Sequence, residues 1–257
     1  MTLRGLFYRV VSGGWFPSTD KQHYQTLMRI MTILREAGAV PFRWIVDGVR
    51  STIKPSSWSG LADFTETVRD AYRKDFWARL SNYVHIFCEK DAMAGTVAPV
   101  TREYDVPLSV IRGFSSVSYA HEIAEQWHEI RKPIFAFYLG DLDPSGLELE
   151  RDMKEKLARY SGREFSWQRL AVTQSDFSLF NLFPLAPKEK DVRTRRFLEQ
   201  GYTQCAELDA IPATELRKRI EQAILEHIPA GEWERLQDLE RLERDRWQAT
   251  LEAIATA

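Results

Sequence analysis

Between residues 83 and 172 the chain repeats one rhythm: a short run of continuously apolar residues, then a longer stretch with apolar residues at helical spacing. The runs are Val84–Cys88, Leu108–Ile111, Pro133–Leu139 and Trp167–Val172, and the helical stretches between them cover Ala92–Tyr104, Ser116–Ile130 and Gly146–Tyr160. A strand with one wet face alternates apolar and polar residues; a strand covered on both faces does not. The pattern therefore predicts an α/β domain with an open, mostly parallel sheet, a fold that places ligands beyond the carboxyl ends of its strands.

The flanking segments read differently. Leu3, Leu6, Phe7 and Val10 recur at helical spacing until Gly13-Gly14 stops the helix, and a second helix with the stripe Tyr24, Leu27, Met28, Met31 and Leu34 starts after Asp20 and ends before Gly38. Short strands are expected over Pro41–Asp47 and on to Ile53, around a Gly48 turn, followed by a helix over Leu61–Leu80 with Phe64, Val68, Tyr72 and Phe76 on one face. Helix, helix and hairpin is the order of a winged-helix module. The expected organisation is thus a winged-helix-like DNA-binding module over 1–80, the α/β domain over 81–183, and a loop and helical extension over 184–257 that ends in a charged helix, Glu232–Ile254.

Charge divides along the same lines. Residues 1–80 carry 12 Lys and Arg against 7 Asp and Glu, and the remainder carries 23 against 30, although the whole chain is only -2. A basic front and an acidic back suit one part that grips phosphate and another that collects cations, or reflect ordinary variation between solvated faces. No apolar run reaches the roughly 20 residues that span a bilayer, and Met1–Arg9 lacks a signal-peptide core, so a cytoplasmic protein is expected. Cys88 and Cys205 have no framework spacing and read as small buried residues.

The segment that carries chemistry is Leu139-Gly140-Asp141-Leu142-Asp143-Pro144-Ser145-Gly146, directly after an apolar run. In extended backbone, residues i and i+2 face one side, so Asp141 and Asp143 share a direction. Glu89 follows the apolar run Val84–Cys88 in the same way, and a right-handed crossover brings it beside the aspartates. Three carboxylates at one sheet edge call for a hard cation; magnesium, or manganese in its place, is the expected ion, because sulfur and imidazole ligands for zinc are missing from the pattern.

Those residues also carry a resemblance. Cys88-Glu89-Lys90, the Arg112-Gly113 turn and the Asp-x-Asp-Pro-x-Gly segment resemble the Toprim domain of topoisomerase VI A subunits and the related meiotic double-strand-break transesterases. The resemblance implies a Rossmann-like Toprim fold in which Glu89, Asp141 and Asp143 hold magnesium beside the scissile phosphate of DNA. Thr2-Leu3-Arg4-Gly5-Leu6-Phe7-Tyr8-Arg9 is similar to the Leu-Arg-x-x-Tyr-Tyr helix of that family, which puts Tyr8 in the place of the nucleophile and Phe7 where the family has a first tyrosine. It further implies a homodimer, in which the tyrosine of one subunit serves the metal site of the other, and a separate ATPase subunit for full topoisomerase action. Glu207-Leu208-Asp209-Ala210-Ile211 and the basic stretch Lys188–Arg196 resemble a compact phage and mobile-element-type branch of these proteins.

Catalytic roles accordingly fall to Tyr8 and Glu89, and DNA contacts to Arg4, Arg9, Lys90 and Arg112. Alternatives stay open at this point. Tyr8 on an apolar helix face is equally well a packed aromatic, in which case the same carboxylates serve a hydrolytic nuclease with a water nucleophile. The fold without the chemistry would be a non-cleaving DNA-binding or assembly protein.

Overall fold

A computed structural model of the chain describes residues 2–45, 56–111, 117–188 and 190–255. Four parallel strands, β1 (Tyr83–Cys88), β2 (Leu108–Val110), β3 (Ile134–Leu139) and β4 (Phe165–Ala171), form one sheet in the order β2-β1-β3-β4. Helices α4 (Asp91–Glu103), α5 (Val117–Glu129) and α6 (Pro144–Ser161) alternate with them. The α/β architecture read from the apolar runs is present, with β1 and β3 adjacent and in register from Tyr83↔Ile134 to Cys88↔Leu139.

Both sheet faces are covered, which is why the runs are continuous. Phe87, Ala136 and Tyr138 pack on one face against Ala120, Ile123, Trp127, Met153 and Leu157 of α5 and α6. Ile86, Cys88, Phe137 and Leu139 face the other way, against Met93 and Val97 of α4 and Leu216, Ile220 and Ile224 of α9 (Ala213–Leu225). The carboxy-terminal third therefore belongs to the same core as the sheet. Full burial of a side chain such as Leu208 or Leu216 contributes about 1.5–3 kcal/mol, so this segment is an integral layer. The two cysteines are buried, as their isolation in the sequence suggests.

At the front, α1 (Leu3–Ser12) and α2 (Lys21–Glu36) close over Phe7, Val11, Leu27, Met31 and Ile45, with Phe183 reaching in from the far end of the α/β unit. Thr2 caps α1 by accepting from the Gly5 N–H at 3.0 Å. Two expectations are corrected here. Phe42–Trp44 is a 3-10 turn rather than part of a strand, while the rest of the expected hairpin, from residue 46 to 53, lies outside the described residues. Helix α3 covers Leu61–Ala71 only. From Tyr72 onward tertiary partners capture the chain: the Lys74 N–H donates to Glu240 at 2.8 Å, Tyr72 donates to Glu243 at 2.6 Å, and the Trp77 indole donates to the Tyr104 carbonyl at 2.7 Å. Phe76, Trp77 and Leu80 are thereby drawn into the main core, a gain that local helix propensity does not match.

Glu240 and Glu243 belong to α10 (Glu232–Ala255), whose Trp233 and Leu236 are buried in that core. Short helices α7 (Ser175–Leu179) and α8 (Thr194–Glu199) complete the structure. Among the described residues no helix is long and apolar enough to cross a membrane.

Candidate active site at the carboxyl edge of the sheet

β1 and β3 end side by side, and their next residues meet. Backbone pairing continues one step past the strands, with the Glu89 N–H donating to Leu139 at 2.8 Å. Glu89 then turns its side chain across to β3, where Oε2 accepts from the Asp141 N–H at 2.9 Å and from the Tyr138 hydroxyl at 3.3 Å. Asp141 is itself buried, with Oδ1 accepting from the Leu208 N–H at 2.7 Å and lying 2.9 Å from the Lys90 ammonium. Asp143 caps α6 through Oδ1, which accepts from the Gly146 N–H at 2.6 Å. Among the described residues no hydrogen bond runs to Glu89 Oε1, Asp141 Oδ2 or Asp143 Oδ2.

The loop that carries the aspartates is clamped from behind. Arg169 of β4 donates to the carbonyls of Gly140, Asp141 and Val172 at 3.0, 3.1 and 3.2 Å and is held by Glu150 of α6. Leu142, between the two aspartates, is buried and pairs with Ala206 in an antiparallel bridge. Two glycines allow the close approach. A Cβ on Gly146 would stand 2.4 Å from the Asp141 carbonyl oxygen, and one on Gly140 would stand 2.6 Å from Glu89 Oε2. Gly146→Ala should therefore lower stability by about 1–3 kcal/mol although alanine favours helices, because the obstructing atom is backbone. Urea denaturation checks this, and an unchanged midpoint would show that the loop relaxes freely.

Electrostatics sets the carboxylates apart. Burial and the neighbouring Asp141 push Glu89 up to about 7, with Asp143 adding to the shift and the Asp141 N–H and Lys90 opposing it. Burial likewise raises Asp141 to about 6, against the pull of Lys90 and the Leu208 N–H. Glu207 goes the other way: burial would raise it, but Lys90, Tyr8 and Arg4 together hold it down to about 2.

Lys90 is the centre of a second cluster. Its ammonium lies 2.8 Å from Glu207 Oε2 and 2.9 Å from Asp209 Oδ2, besides Asp141. Arg4 makes a two-pronged bond to Glu207 at 3.0 and 3.1 Å, and Thr2 donates to Asp209 at 3.2 Å, so α1 is tied to the same residues. Tyr8 is only 6 % exposed and lies near Glu207 and Arg4; burial and Glu207 raise its pKa further above the ordinary tyrosine value, against Arg4. Glu207 and Asp209 were legible in the sequence only as part of a motif resemblance. Their glutamate-x-aspartate spacing, the same i, i+2 arrangement as Asp141 and Asp143, is the signal that would have marked them.

Of the residues expected to meet DNA, Arg4 and Lys90 thus spend their charge within the fold, Arg9 is exposed on α1, and Arg112 lies outside the described residues. Among the described residues no group of three or more His, Cys, Asp or Glu is arranged to hold a metal ion as it stands. The donor chemistry still suits a hard ion: each of the three expected ligands is anchored through one oxygen, and Glu89 carries an unfavourable charge that a nearby cation would relieve. No family model, curated protein or solved structure matches the chain.

Proposed function

We propose that this chain is a Toprim-type, magnesium-dependent protein that breaks DNA backbones by hydrolysis, its basic front a winged-helix-like module that grips the duplex. The supporting observation is the meeting of Glu89 and Asp141 across adjacent parallel strands, at the edge where such sheets bind ligands, with Asp143 two residues on. Glu89, Asp141 and Asp143 are the residues that would hold magnesium or manganese. When bound, such an ion neutralises charge on the phosphoryl oxygens as the backbone bond breaks.

The chain's own groups supply the rest. Arg169 and the Leu208 N–H fix the Asp141 backbone and side chain, so the ligands need little rearrangement. The unanchored oxygen of Glu89 would be its ligand atom, and a cation there would relieve the charge that burial and Asp141 make unfavourable. Tyr8 is buried and engaged with Glu207 and Arg4, which favours water over tyrosine as nucleophile and makes Tyr8 part of the docking of α1. A tyrosine mechanism would need that hydroxyl released toward DNA and, by the family resemblance, a homodimer and a separate ATPase subunit.

Supercoiled plasmid DNA separates these readings. Wild type should nick it with magnesium or manganese and not with EDTA, and Asp141→Asn or Asp143→Asn should cut the rate at least ~100-fold, the loss of several kcal/mol of charge stabilisation. Tyr8→Phe should stay within about three-fold, since only a hydrogen bond is removed. Recovery of denatured protein covalently joined to DNA, lost in Tyr8→Phe, would replace water by tyrosine. Undiminished nicking by both aspartate variants, or DNA binding without any cleavage, would leave a non-cleaving DNA-binding or assembly protein.

A further inference from the structure

Lys188, Asp191 and Arg193 of the basic stretch lie against the acidic edge. Together with the α6 start they wall a crevice of about 210 Å³, lined by Asp143, Ser145, Lys188, Asp191, Arg193 and Glu207 among others. The acids lining it are already answered: Asp191 pairs with Arg193 at 2.8 Å, and Glu207 with Lys90 and Arg4. Asp143 is a ligand in the proposed function. Arg193 is held in place, donating to Ser145 Oγ at 3.1 Å as well as to Asp191. Lys188 is exposed, and its ammonium is near enough to act on Asp191 and on the Cys205 thiol.

The crevice does not stop there. Pro144 and Arg193 also line a second hollow of about 100 Å³, together with Arg151 and Arg196. Arg196 is more than half exposed and only 3.6 Å from Glu148, a loose pairing in which the guanidinium still offers donors to solvent. Lys188, Arg193 and Arg196 thus line two hollows that share Pro144 and Arg193 and together make a furrow, the first of them bordered by Asp143.

We propose that this furrow holds the DNA strand on one side of the cleavage point, with Lys188 and Arg196 each meeting a backbone phosphate and Arg193 between them. The inference rests on the proposed action at Asp143 and adds the path of the strand. Phosphate contacts of this kind set register without reading sequence, so the furrow positions DNA rather than selecting it.

Fluorescence anisotropy with a labelled DNA duplex, over a potassium chloride series in EDTA, tests it. Lys188→Ala and Arg196→Ala should each weaken binding about ten-fold at low salt, and each should lower the slope of log K against log salt by about 0.9, the value for one phosphate. Lys218→Ala, on the exposed side of α9, is the control and should match wild type. Slopes unchanged in both variants, in a wild type that binds and nicks DNA, would overturn the furrow and leave the proposed cleavage standing. A wild type that binds no duplex would overturn both. Circular dichroism of the two variants, expected to match wild type because both side chains are exposed, keeps misfolding from counting as support.

Discussion

Lys90→Met is expected to cost about 3–5 kcal/mol of stability, the cost of stripping a buried ion pair of one partner. The Lys90 ammonium stands within 2.9 Å of Asp141, Glu207 and Asp209, and the Asp209 side chain is 1 % exposed. Although burial opposes its charge, those three acids raise the Lys90 pKa above the ordinary lysine value. Methionine preserves the length of the side chain and removes the charge, so three carboxylates would face one another in a poorly hydrated place. Typical domains hold only 5–15 kcal/mol in total, so much of the margin would go. Urea denaturation gives the figure. Adding Asp209→Asn to Lys90→Met should recover part of the loss, and the resulting cycle isolates the pair. A Lys90→Met protein within about 1 kcal/mol of wild type would mean that the acids rearrange or take up protons at little cost.

The second large effect is an inverted dependence on pH. In the protein without metal, Glu89 is raised from an ordinary 4.5 to about 7 and Asp141 from 3.8 to about 6. The folded state therefore binds more protons than the unfolded chain between about pH 4 and 7, and stability contributed by these two groups falls as pH rises through that window. Glu207, lowered to about 2, acts oppositely: its contribution is present above pH 4.5 and lost as pH falls toward 2. With these three groups taken together, stability without metal should peak near pH 4. Under the proposed function, a magnesium ion taken up by the deprotonated carboxylates should reverse the alkaline loss, and at a hundred times its dissociation constant it would contribute about 2.7 kcal/mol. Thermal melts at pH 5 and pH 8, with magnesium and with EDTA, should show the larger magnesium-dependent rise in Tm at pH 8. An equal or larger rise at pH 5 would exclude Glu89 and Asp141 as the groups that bind it.

How far the sequence carried these conclusions differs by element. The adjacency of β1 and β3 was readable because continuous apolar runs separated by helices permit few other arrangements, and the Asp141 and Asp143 turn follows from its place after β3. α3 is shorter than its apolar stripe predicts, since Tyr72 and Phe76 continue that stripe beyond Ala71. What ends the helix is a set of partners on α10, more than 160 residues away in the chain. The second cluster was hidden for the same reason. Lys90 announces a positive charge, yet nothing in its neighbourhood says that Glu207 and Asp209, 117 and 119 residues further on, will claim it. Arg4 is bound in the same way to a residue 203 positions away. Local pattern reports which face a side chain takes; it does not report which distant charge will meet it.

The antiparallel bridges Leu142↔Ala206 and Leu185↔Cys205 have a temporal consequence. A nascent chain that has emerged as far as β4 already contains Glu89, Asp141 and Asp143. It still lacks the Leu208 amide that anchors Asp141 and two of the three acids around Lys90. During synthesis the acidic edge is therefore assembled late, once residues 205–209 have left the ribosome and packed back beside Leu142, and a partly made chain carries the three carboxylates without the partners that hold them in place.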